Sequence, residues 1–108
     1  MKELNEFQKQ AVLFADKCCD RLDYLALALC GEAGEVAEKV KKIFRDQNGL
    51  VFADDATALA YELGDCLWYI AVAANKLGYK LSDIAEMNRI KIIRRIERNK
   101  LHGSGDNR

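Results

Sequence analysis

Residues 56–74 read ATALAYELGDCLWYIAVAA, and the only charged side chains among them are Glu62 and Asp65. A helix this apolar on every side has to be covered by its neighbours. Its two acids stand at i and i+3, so they project from one side, about a turn apart. A carboxylate in an apolar setting is strongly disfavoured unless it is paired or takes up a proton. A second one of like sign beside it makes ionisation harder still. The stretch therefore calls for a cation, either Lys/Arg or a metal.

A second stretch, LALALCGEAGEVAEKVKKIF at residues 25–44, repeats the arrangement with Glu32 and Glu35. Leu25, Leu29, Val36, Val40 and Ile43 form its apolar stripe; at about 100° per residue Glu32 falls on the stripe's edge and Glu35 just beyond it. Two helices joined by a short loop lie antiparallel, which brings the E-x-x-E and E-x-x-D pairs face to face. Converging oxygen donors with no nearby His or paired Cys suit a hard cation such as Mg²⁺ or Mn²⁺.

The chain has 108 residues, room for one domain whose core oligomerisation would help complete. Basic and acidic residues balance at 17 each, so no charge excess points to nucleic acid or to disorder. The absence of proline favours an all-α chain. MKELNEFQKQ is too charged for a signal peptide, and acids interrupt the most apolar stretch, which argues against a membrane span. Cys18, Cys19, Cys30 and Cys66 show no C-x-x-C spacing; Cys30 and Cys66 read as buried, and all four as reduced thiols of a cytoplasmic protein.

In order, Leu4, Phe7, Ala11 and Phe14 mark a first helix over residues 3–18. Asp20 or Asp23 caps a second that runs to Arg45, and Gly49 allows the turn after it. Asp54 or Asp55 caps the third helix, Leu77-Gly78 stops it, and Ser82 caps a fourth with Asp83 in its first turn. The fourth helix ends in a basic run that includes Lys91, Arg94 and Arg95, read either as a solvated face or as cations for an anionic ligand's phosphates. Residues 1–100 form the domain, and 101–108 a flexible tail or a segment that folds over phosphate with Arg108 as donor.

GEAGEVAE (31–38), ELGD (62–65) with the following CLWYIA, and NRIK (88–91) together resemble the MazG-like, all-α nucleoside triphosphate pyrophosphohydrolases. The resemblance covers most of residues 25–95, and its specificity lies in the paired acidic motifs; either alone is weak. It implies a four-helix-bundle-like fold completed by oligomerisation as a dimer or tetramer. It also implies Mg²⁺ held by Glu32, Glu35, Glu62 and Asp65, and hydrolysis of the α–β phosphoanhydride of a nucleoside triphosphate. Asn88 and Lys91 then contact phosphate or sugar, Lys42 reaches a phosphate, and Arg94 or Arg95 stabilises the leaving pyrophosphate. Glu38 holds a second ion or is simply surface, while Trp68, Tyr69 or Phe14 offers the base an aromatic face.

Three rivals differ in class. A ferritin-like di-metal site needs Glu-x-x-His pairs, and the lone His102 cannot supply them. A structural helical oligomer would pair the acids with Lys/Arg, of which residues 56–74 hold none. A regulatory module would bind nucleotide and Mg²⁺ without turnover.

Overall fold

The computed structural model describes residues 1–102, as four α-helices and one 3-10 turn. These are α1 (Lys2–Phe14), the 3-10 turn (Lys17–Asp20), α2 (Leu22–Gln47), α3 (Ala53–Lys76) and α4 (Leu81–His102). No strand occurs among the described residues, as the sequence led us to expect. The tail expected over 101–108 lies, from residue 103 onward and including Arg108, outside them. No helix among them is long and apolar enough to cross a membrane.

Helix ends differ from expectation more than helix centres. α1 stops at Phe14 because Ala15 turns extended, and the 3-10 turn occupies what looked like its continuation. Arg21, rather than Asp20 or Asp23, precedes α2. α2 runs two residues past Arg45 and closes on Asn48 and Gly49, both with positive φ (54° and 81°). Phe52 precedes α3, and Asp55 serves it from the first turn, its carboxylate accepting the Phe52 N–H at 3.0 Å. The Gln47 amide donates to the same carboxylate at 2.7 Å and to the Leu50 carbonyl, locking the α2–α3 connection. α3 ends in a Schellman turn: Tyr79 N–H donates to the Ala74 carbonyl and Gly78 N–H to that of Asn75, with Gly78 at φ 84°.

α2 and α3 pack antiparallel along their length, with Glu32 opposite Asp65, Lys39 opposite Glu62 and Gln47 opposite Asp55. α1 crosses α3 and meets the start of α4. The core sits at one end, where Ala11, Cys19, Leu25, Ala71, Val72 and Leu81 meet, with Leu4, Phe7, Trp68 and Tyr69 packed around them. Cys30, expected to be buried, is exposed, and Cys19 is the thiol in the core. α3 is fully buried only in its last turns; Tyr61 and Leu63 are 75% and 57% exposed. The radius of gyration is 17.3 Å, against roughly 13 Å for a compact domain of this length.

Candidate active site

The α2–α3 hairpin sets the site. Each helix carries its acids at i and i+3, and antiparallel packing brings Glu32 of α2 opposite Glu62 and Asp65 of α3. One carboxylate oxygen each from Glu32, Glu62 and Asp65 lies within 4.8 Å of the others. Octahedral oxygens about 2.1 Å from Mg²⁺ stand roughly 3–4 Å apart, so small rotamer changes would close this trio around such an ion. Glu35, the fourth acid of the expected quartet, is exposed and contributes no oxygen to the converging group. It is close enough to add to the charge felt by Glu32.

The electrostatics agree with the geometry. Burial first, and then the carboxylates of Asp65, Glu62 and Glu35, push the Glu32 carboxyl above the ordinary range for glutamate. The Lys39 ammonium, from α2, stands 3.7 Å from Glu62, whose side chain is only 18% exposed. One loosely placed ammonium beside three converging acids leaves the cluster short of positive charge, and an all-oxygen donor set of that kind fits a hard divalent cation.

Glu32 and Asp65 share a cavity of about 360 Å³ with Trp68 and Tyr69, so the acids open onto an aromatic wall. The two rings stand edge to face, with centroids 5.0 Å apart. Burial, with Tyr24 next, raises the pKa of the Tyr69 phenol and keeps it neutral.

The expected substrate-binding cations do not share that cavity. Lys42 lines a smaller one of about 190 Å³ between α2 and α3, together with Lys39 and Asp46. Lys91 and Arg94 line a groove of about 540 Å³ on α4 with Met87, Ile90 and Arg98. Asn88 is exposed on α4; Arg95 is half-buried, and its Nε is buried without a hydrogen-bond partner among the described residues. Glu38 pairs with Lys41 at 3.0 Å, outside the converging trio, and Phe14 is exposed at the end of α1.

Lys39 is the site residue that the sequence reading missed. It lies four positions after Glu35 and seven after Glu32, a spacing that puts it on their face of the helix. The signal was therefore present in the spacing.

Comparison with known proteins points the same way. Residues 21–99 match the MazG nucleotide pyrophosphohydrolase domain. The chain is also similar to the Gene 37 protein of Mycobacterium phage L5, 44% identical over 93 residues that cover 83% of this chain and 82% of the relative. That name states no activity, and no solved structure matches. The matched segment takes in all of α2 and α3 and most of α4, and on that ground the chain belongs to the MazG nucleotide pyrophosphohydrolase family.

Proposed function

We propose that the protein is a Mg²⁺-dependent pyrophosphohydrolase that cleaves the α–β phosphoanhydride of nucleoside or deoxynucleoside triphosphates, releasing the monophosphate and pyrophosphate. Family membership supports the reaction class, and members generally depend on a divalent metal. The observation that carries the reading is the convergence of Glu32, Glu62 and Asp65 beside Trp68 and Tyr69. Mn²⁺ has the same preference for oxygen donors and can substitute.

A bound Mg²⁺ neutralises triphosphate charge and lowers the pKa of water. The protein's own groups do the rest. Glu32, Glu62 and Asp65 would supply the oxygen ligands, with the Lys39 ammonium standing beside Glu62. Glu35, left out of the converging trio, accepts the proton of the attacking water on its carboxylate. The water oxygen bonds to phosphorus, the bridging P–O bond breaks, and its electron pair leaves with pyrophosphate. Lys42, with Lys91, Arg94 and Arg95 on α4, meets that negative charge, and Asn88 contacts phosphate or sugar. The Trp68 face receives the base.

These groups line separate cavities within one chain, and α3 is bare over its first turns. A homo-oligomer, dimer or tetramer, covers that surface and is part of the proposal.

The test is pyrophosphate release from a panel of NTPs and dNTPs, with Mg²⁺ or EDTA, for wild type and Glu62→Gln. Turnover that requires the metal and is lost in the variant is the expected result, and the panel identifies the base. Nucleotide binding without turnover would make the protein a sensor; neither binding nor turnover in a folded protein would leave a structural oligomer.

A further inference from the structure

α1 lies outside the segment matched to the family, yet it holds the base of α4. The first N–H groups of a helix have no acceptor within it and are ordinarily capped by the residue just before. Here the acceptors come from 73 and 77 positions away: Leu81 N–H donates to Gln8 Oε1 at 3.0 Å, and Ser82 N–H to Asn5 Oδ1 at 3.0 Å. Asn5 Nδ2 donates in return to Ser82 Oγ at 2.9 Å. Gln8 Nε2 donates to the carbonyls of Ala71 (3.1 Å) and Tyr79 (3.0 Å).

Gln8 is 6% exposed, and both donors and the acceptor of its amide are in use. A carboxylate there would lose the two donated bonds, and a thioether all three. Asn5 and Gln8 thus join three elements at one point: α1, the body of α3, and the turn into α4. Beyond Leu81, which is buried, α4 carries mostly exposed and half-buried residues, so its direction is set at its base. A tilt of about 10° at Leu81 would move Lys91, about 15 Å along the helix, by roughly 2.5 Å. Displacements of that size are enough to disrupt the placing of a substrate.

We propose that Asn5 and Gln8 are positioning residues, which cap α4 from across the molecule and set the direction in which α4 presents Asn88, Lys91 and Arg94 to the triphosphate. The role rests on the function proposed above for the α4 face.

Gln8→Met, Asn5→Leu and Asn5→Asp in the full chain test it, by amide exchange at Leu81 and Ser82 and by steady-state pyrophosphate release. Asn5→Asp keeps an acceptor for both the Ser82 N–H and its hydroxyl, and it suits a helix N-terminus. It should therefore exchange and turn over like wild type. Gln8→Met and Asn5→Leu should exchange roughly tenfold faster at those two amides. Their KM should rise about tenfold as the phosphate contacts of α4 weaken, and kcat per folded enzyme should fall as well, because Lys91 and Arg94 meet the charge of the leaving pyrophosphate.

A merely structural role would lower kcat with the folded fraction and leave KM alone, and that result overturns the proposal; so does unchanged exchange at both amides. If Gln8→Met fails to fold, the Asn5 pair decides by the same criteria. A wild type that turns over no nucleotide removes the function and this role with it, whereas active variants with wild-type KM remove the role alone.

Discussion

Glu32 sits above the ordinary glutamate range because burial and three neighbouring acids favour its protonated form. Its folded pKa is higher than its unfolded one, so the folded state binds the extra proton. The stability this supplies is full below the unfolded pKa and is lost as pH rises through the raised one. The exposed Asp23, Glu38 and Asp46 and the half-buried Asp55 and Glu86 are shifted down by their partners and act in the opposite sense, losing stability as pH falls. In metal-free melts between about pH 4 and 7, Glu32→Gln should flatten the decline on the upper side and melt higher than wild type near neutrality. Lys39→Met, which takes a cation from the same cluster, should melt lower, and Mg²⁺ should raise the Tm of Lys39→Met but not that of Glu32→Gln. A Glu32→Gln variant that melts below wild type without metal would show that repulsion is not what governs the cluster. The convergence of Glu32, Glu62 and Asp65 was legible because i, i+3 spacing is a local property of each helix; the place of Glu35 outside it was not, because the spacing alone treats both acids of a pair alike. Asn5 and Gln8 were not, because nothing within a few residues of them announces partners 63 to 77 positions away.

The helices were legible as elements and much less so at their ends. α3 declared itself by an apolar run too long for a strand, and α2 by a stripe at helical spacing whose ends, Leu25 and Ile43, are indeed buried while Val40 is half-exposed. Caps misled because Asp and Ser serve a helix from its first turn as well as from the residue before it. Asp55 accepts the Phe52 N–H from inside α3, and Ser82, inside α4, is itself held by Asn5. The stop at Gly78 was read correctly, since the left-handed position of a Schellman turn favours glycine. A Cβ added at Gly78 would meet no atom within 4 Å, so the penalty of Gly78→Ala is that of the backbone alone. Urea unfolding should show a loss of about 1 kcal/mol with an unchanged m-value. A neutral result would mean that the turn relaxes out of the left-handed region at no cost.

At the scale of the whole molecule, a single copy is expanded for its length and leaves Leu27, Phe44, Tyr61 and Leu63 largely exposed. Exposed apolar surface of this extent fits the homo-oligomer proposed above. Light scattering should therefore give a mass of two or four chains, and the Tm should rise with protein concentration. A monomer whose Tm is independent of concentration would exclude the oligomer. The α2–α3 hairpin also bears on the order of events in time. Its acids meet through local pairing across one connection, whereas the bonds from α1 to α4 close loops of 73 and 77 positions. Loop-closure entropy and topology favour the hairpin as the first structure to form, with α1 and α4 docking afterwards. A cation gripped by hairpin acids then belongs to the folding nucleus, so Mg²⁺ should speed refolding more than it slows unfolding. The part of the chain that would do the chemistry is then also the part that learns its shape first.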